Sequence, residues 1–204
     1  MIIYMTKDEQ YQRYLDLLLK WSKSMDLTAI TNPDDIHSKH FQDSKAPIPF
    51  LGDAKTLIDI GTGAGFPGIP IKIECPKIHV VLLDSTRKKI NFCRQVLFEL
   101  GLDGIEALQG RAEDPDIFRT LGPFDAVISR ATWPLDVFLE IADPYYDHKG
   151  RCIAMKGAKW QQELKKAQPI MKKYDLSIIE THPYALGSGE KRCLLIFKKN
   201  SPPL

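Results

Sequence analysis

The chain has 204 residues, 44% hydrophobic and 26% charged, with a formal net charge of +2. This composition suits a folded domain of ordinary size and excludes a disordered tail or a small stapled scaffold. No apolar run approaches the roughly 20 residues that cross a bilayer, and the apolar start Met1–Met5 lacks the length and basic flank of a secretory leader. The expectation is a cytoplasmic protein that does not touch membranes. With no long apolar face left over, it should be a monomer. Cys75, Cys93, Cys152 and Cys193 form no Cys-x-x-Cys pair, so buried free thiols are expected rather than disulfides or a zinc site.

Charge is unevenly spread. Lys149–Leu204 carries 12 Lys+Arg against 4 Asp+Glu, a net +8, which leaves −6 for Met1–His148. A basic C-terminal segment suits a polyanionic partner, although a solvated lysine face accounts for it equally well.

Thr6-Lys7-Asp8-Glu9 reads as a capping box, followed by Tyr11, Leu15, Leu18 and Met25 at helical spacing. A first amphipathic helix should end near Met25. Asn32-Pro33 then signals a second helix, which should run to about Ser44 and stop before Pro47. These helices form an expected N-terminal helical extension, residues 1–50, ahead of a main domain over 51–204. In that domain, short apolar runs at Thr56–Ile60, Val80–Leu83, Ile105–Leu108, Phe124–Ser129 and Cys152–Met155 alternate with helical stretches such as Lys88–Leu100 and Trp133–Ile141. This pattern predicts an α/β, Rossmann-like fold: a mostly parallel sheet with helices on both faces. Leu176–Ile179 and Leu194–Lys198 follow with no helix between them, joined by a segment carrying Pro183, Gly187 and Gly189. They predict a hairpin that brings the sheet to seven strands and makes the last one antiparallel.

The chemistry centres on the turn after the first strand. Gly61, Gly63 and Gly65 allow a tight turn and close approach of a ligand to the backbone. Two ligands use such a turn. A dinucleotide sets its pyrophosphate there, and Gly63-Ala64-Gly65-Phe66-Pro67-Gly68 matches Gly-x-Gly-x-x-Gly. S-adenosylmethionine instead lays its amino acid end and ribose over the turn. Asp59 favours the second ligand, because a carboxylate attracts the ammonium and repels a pyrophosphate. Pro67 removes an amide that a phosphate would use, and Phe66 offers an apolar wall. Asp84, 19 residues after Gly65, ends the second strand where doubly wound folds grip ribose hydroxyls; it also stands where a helix cap would be. Gly110-Arg111-Ala112-Glu113 follows the third strand, where Ala112 and Glu113 can serve the adenine edge. Ser129-Arg130-Ala131 ends the fourth strand, where Arg130 can touch ligand or RNA or form a structural ion pair.

These residues resemble one family closely. Leu57–Pro70, reading Leu-Ile-Asp-Ile-Gly-Thr-Gly-Ala-Gly-Phe-Pro-Gly-Ile-Pro, is similar to the first motif of the bacterial glucose-inhibited division protein B family. Asp26-Leu27-Thr28-Ala29-Ile30, His40-Phe41-Gln42-Asp43-Ser44, Leu82-Leu83-Asp84-Ser85, Gly110–Glu113, Ser129–Ala131 and Lys156-Gly157 fall in family-like order. Asp26, where the family has Asn, and Lys45, where it has an apolar residue, depart from the pattern. The resemblance implies a class I methyltransferase that uses S-adenosylmethionine on guanine N7 of 16S rRNA, with no general base and no catalytic side chain. It implies cofactor contacts at Gly61, Phe66, Asp84, Ser85, Ala112, Glu113 and Arg130. RNA contact is expected from Lys156, Lys159, Lys165, Lys166, Lys191 and Arg192, with Lys172 and Lys173 nearby. His37, His40 and Asp43, three apart, point to helix packing or RNA contact rather than a metal. The rival readings are a small-metabolite methyltransferase, an NAD(P)-dependent oxidoreductase, which rests on the same glycines, and a non-catalytic RNA-binding protein.

Overall fold

The computed structural model describes residues 5–23, 27–28, 30, 32–130 and 132–201. The expected helix end at Met25, and the family-like positions Asp26, Ala29 and Ala131, lie outside these residues. Seven strands form one sheet: β1 (Thr56–Ile60), β2 (His79–Asp84), β3 (Ile105–Gln109), β4 (Ala126–Arg130), β5 (Arg151–Gly157), β6 (Leu176–Ala185) and β7 (Lys191–Lys199). Their order is β3-β2-β1-β4-β5-β7-β6. β1 to β5 pair in parallel, while β7 runs antiparallel to both β5 and β6. The hairpin and the reversed last strand therefore stand as predicted. The order reverses between β1 and β4, so a crevice opens at the carboxyl ends of those strands.

Helices cover both faces. α1 (Lys7–Ser22), α4 (Gly68–Glu74) and α5 (Arg87–Leu100) pack on one side. α6 (Pro115–Leu121), α7 (Leu135–Ala142) and α8 (Trp160–Lys173) pack on the other. Strand residues alternate between the two cores, with Leu57 in one and Ile58 in the other. The capping box is present: the Glu9 amide donates to Thr6 Oγ1 at 3.3 Å and the Thr6 amide to Glu9 Oε2 at 2.7 Å. Such a cap contributes on the order of 1 kcal/mol. α1 then buries Tyr14 and Leu18 fully against Ile69 and Phe92, each side chain stabilising the fold by roughly 1.5–3 kcal/mol.

The second helix differs from expectation in its middle. Asn32 Oδ1 accepts from the Asp34 and Asp35 amides and starts α2 (Pro33–Ile36) as predicted. His37–Gln42 then widens to a π-helix before α3 (Asp43–Lys45). β6 is also longer than its apolar run. Its outer half (Glu180, His182, Pro183) is exposed, and an edge strand needs no continuous apolar signal to pair. Among the described residues, no helix is long and apolar enough to cross a membrane.

Candidate active site

β1 hands over to α4 through Gly61 (φ 70°), Gly63 (φ 61°) and Gly65 (φ 95°). An added Cβ at Gly61 would lie 2.7 Å from Thr132 Cγ2, whereas one at Gly63 would meet nothing within 4 Å. The turn spends its amides internally. Those of Gly61 and Thr62 donate to the Leu83 carbonyl, and those of Gly65 and Phe66 to the Thr62 carbonyl. The Gly63 amide donates to Asp84 Oδ2 at 3.0 Å and the Gly68 amide to Asp59 Oδ2 at 2.9 Å. A pyrophosphate cradle needs a row of free N–H groups, and this turn does not offer one. The start of α4 offers no free amide at Gly68 or Ile69 either, since these donate to Asp59 Oδ2 and to the Gly65 carbonyl.

Asp59 has no exposed surface. Its Oδ2 also accepts from Thr62 Oγ1 at 2.6 Å, so the carboxylate braces the turn from beneath. Its Oδ1 is buried with no partner. Burial pushes the Asp59 carboxyl up to about 6, against the Thr62 and Gly68 hydrogen bonds. Asp84 faces both the start of α5 and the crevice. Oδ1 accepts from the Thr86 amide at 2.8 Å ahead of α5, and the side chain borders the open crevice.

That crevice has a volume of about 220 Å³. Of the predicted cofactor residues, Gly61, Asp84, Ser85, Ala112 and Glu113 line it together. Asp59, Gly63, Gly65, Phe66 and Arg130 do not. Leu83, Thr86, Lys89, Gly110, Arg111, Thr132 and Trp133 complete the wall; Thr132 and Trp133 were not expected there from the sequence. Thr132 Oγ1 donates to the Gly61 carbonyl at 3.2 Å, which draws the segment after β4 over the turn. Tyr145 Oη donates to the Ala112 carbonyl at 3.0 Å and fixes the loop after β3.

Phe66 is not an open wall. Its ring stacks with Tyr14 (5.2 Å) and with His40 (4.8 Å), and the Arg130 guanidinium lies 5.1 Å from its centroid. Tyr14 Oη also donates to the Ala64 carbonyl. The glycine turn is thus packed directly against the N-terminal helices. Arg130 donates to the Lys39 carbonyl (3.1 Å), Asp43 Oδ2 (3.3 Å) and His40 Nδ1 (3.0 Å). Guanidinium has no acceptor, so His40 Nδ1 must accept. Nε2 then carries the proton towards Thr28 Oγ1 at 2.8 Å. Burial first, and Arg130 second, push His40 down to about 3, so the ring is neutral. Asp43, only 2% exposed, also accepts from Tyr184 Oη at 2.7 Å. His37 stands apart, bonded to Gln42.

These residues border a second cavity of about 510 Å³ at the ends of β4 and β5, lined by His40, Asp43, Arg130, Met155, Lys156, Gly157, Lys39, Glu190 and Arg192. Lys156, expected to contact RNA, lines this cavity but has its charge already engaged. It is 5% exposed, paired with Glu163 Oε2 at 2.8 Å, and donates to the Trp133 carbonyl at 2.6 Å. Arg192 is likewise paired, with Glu190 at 2.6 Å. Lys159, Lys165, Lys166 and Lys191 are exposed as expected. Lys172 is exposed too, while Lys173 pairs with Glu140.

The profile of the GidB family, described as rRNA small subunit methyltransferase G, matches residues 7–185. The chain belongs to this family. A ribosomal RNA small subunit methyltransferase G of Streptococcus equi subsp. zooepidemicus (strain H70) is 39% identical over 202 residues, covering 96% of this chain and 84% of the relative. The namesake of Streptococcus thermophilus (strain CNRZ 1066) is 40% identical over 203 residues, covering 95% and 84%. Among solved structures, cofactor-bound Rv0187 from MTB superposes with TM-score 0.69 at 21% identity, covering 93% of this chain and 91% of that one. A ribosomal protein L11 methylase from Lactobacillus delbrueckii subsp. bulgaricus gives 0.61 at 17% identity, covering 79% of each chain. These two share the fold. A GidB-family chain is an rRNA methyltransferase of the small subunit, and the oxidoreductase and non-catalytic readings fall away.

Proposed function

We propose that the protein transfers a methyl group from S-adenosylmethionine to N7 of a guanine in 16S rRNA, in the cytoplasm. One observation supports this most: a crevice at the switch point that sets Asp84 and Glu113 beside a turn whose amides are already spent, with Lys89 and Arg111 balancing their charge. It offers carboxylates to a nucleoside and no row of free N–H groups to a pyrophosphate. The sulfonium supplies an electrophilic methyl group. A carboxylate has about four acceptor sites, so Asp84 keeps two for ribose hydroxyls after bonding Gly63 and Thr86. Ser85, Ala112 and Glu113 border the adenine. Asp59 does not line the crevice, so its buried, unspent Oδ1 would serve the ammonium through a bridging water beneath the turn; buried polar atoms without partners are rare enough to need a reason.

The second cavity takes the acceptor base. Guanine N7 carries a lone pair and no proton, so no side chain has to remove one. The neighbouring groups match that. His40 uses Nδ1 to accept from Arg130, and Lys156 is tied to Glu163 and Trp133. Arg130 is held on Asp43, His40 and Lys39, which keeps its charge away from N7 and leaves donors for O6 or a phosphate. Catalysis then comes from holding two reactants in line, an effect worth about 7–11 kcal/mol. Lys159, Lys165, Lys166 and Lys191 supply exposed charge for the RNA backbone. Incubation of small-subunit RNA, naked and assembled, with methyl-labelled cofactor tests the reading. Digestion should release labelled 7-methylguanosine; label on another atom, or on no nucleoside, would reject it.

A further inference from the structure

The second cavity contains one feature that methyl transfer itself does not require: a carboxylate at its rim. Glu190 follows the hairpin turn between β6 and β7, where the Gly189 amide donates to the Leu186 carbonyl at 2.8 Å and the Leu186 amide to the Glu190 carbonyl at 3.0 Å. The turn thus sets the position of Glu190 firmly. Its side chain keeps 40% of its surface, and it lines the cavity opposite the β4 and β5 ends. The other acidic group there, Asp43, is 2% exposed and already committed to Tyr184, Arg130 and Arg192. Glu190 is therefore the one carboxylate of the cavity wall, among the described residues, with surface to offer a ligand.

Lys39 holds Glu190 Oε1 at 3.2 Å and Arg192 holds Oε2 at 2.6 Å. Each oxygen keeps a second acceptor site. The two cations also hold the carboxyl below its ordinary value, so it is ionised throughout the working range. An ionised carboxylate with one free site on each oxygen matches two parallel donors. Guanine presents that pair at N1–H and the 2-amino group. Adenine does not, since its N1 is an acceptor. N7 lies across the ring from this edge and is left open.

We infer that Glu190 selects guanine by accepting hydrogen bonds from N1–H and the 2-amino group of the target base. The inference rests on the reading above that this cavity takes a guanine. It also adds to catalysis. Methylation at N7 puts a positive charge on the ring and makes N1–H more acidic. A carboxylate on that proton binds more tightly as the charge develops, which is the condition for lowering a barrier rather than only improving binding. The proton stays on N1, so no base step is involved.

The test compares 16S rRNA carrying guanosine or inosine at the methylated position, presented in whichever form, naked or assembled, the wild-type protein accepts. Inosine keeps N7, O6 and N1–H and lacks the 2-amino group. Wild type should favour guanosine in kcat/KM by roughly ten- to a hundredfold, the range of a hydrogen bond to a charged acceptor. Glu190→Gln should lower the rate on guanosine, mainly in kcat, and bring the two substrates to within about threefold. Lys39→Met, which removes an ion pair and spares the carboxylate, should keep the preference. An unchanged guanosine preference in Glu190→Gln, or none in wild type, overturns the assignment of Glu190 alone. A wild-type protein that methylates no guanine overturns the reading on which it rests.

Discussion

Replacing Asp59 with Asn should make the protein more stable and a poorer enzyme. Asp59 is fully buried, and burial pushes its carboxyl from 3.8 up to about 6. The native state therefore binds this proton more tightly than the unfolded chain does. Native stability is favoured while the group is protonated, falls as pH rises from about 4 to about 6, and is fully lost above that. A shift of about two units corresponds to roughly 3 kcal/mol, of which about 1.3 kcal/mol falls between pH 5 and pH 7. Asn keeps the shape, and its carbonyl can accept from Thr62 Oγ1 and the Gly68 amide as Oδ2 does. It does not ionise. Urea unfolding of both proteins at pH 5, 6 and 7 should show the variant gaining on wild type by about 1.3 kcal/mol across that range. Binding of S-adenosylhomocysteine at about pH 7.5, where the wild-type carboxyl is ionised, should weaken by roughly ten- to a hundredfold in calorimetry, because the ammonium loses a charged acceptor. Parallel pH profiles for the two proteins would refute the buried, costly carboxylate. Undiminished affinity would remove the ammonium from Asp59.

Gly61→Ala places a Cβ 2.7 Å from Thr132 Cγ2 at a φ of 70°; the backbone cost alone is about 1–2 kcal/mol. It should lower the melting temperature and weaken S-adenosylhomocysteine at least about tenfold, read by calorimetry. Arg130→Ala leaves Asp43 buried without its nearest cation, a loss of about 3–5 kcal/mol in urea unfolding. It should raise the KM for RNA far more than the Kd for cofactor. Mutating Lys159, Lys165 and Lys166 together to Ala should leave folding unchanged. Filter binding should then show the slope of log affinity against log salt reduced by about 2.

Where a local interaction carries the structure, the sequence spoke plainly. Thr6 and Glu9 lie three apart and cap each other, and Leu57–Ile60 is apolar throughout except for Asp59. The Asp84 position was legible because a strand end and a helix start impose the same residue. The rest depended on partners far away in the chain. Lys156 reads as a cation free for RNA until Glu163 and the Trp133 carbonyl close over it. Phe66 reads as a ligand wall until Tyr14 and His40 stack on it across 52 and 26 residues of chain. Thr132 and Trp133 carried a usable signal, since a polar–aromatic pair two residues past the end of a switch-point strand is placed to cover a ligand. The π-helix at His37–Gln42 had none, because the widening follows tertiary contacts of His40 and Asp43 rather than a residue preference.

The central claim is that the crevice beside Gly61 holds the adenosyl group. A crystal soaked with S-adenosylhomocysteine measures that directly. The ribose should appear on Asp84, the adenine between Ser85 and Ala112–Glu113, and the amino acid end over the turn above Asp59. Density for the ligand in the cavity beside Arg130, or at no site on a protein that still methylates RNA, would contradict it.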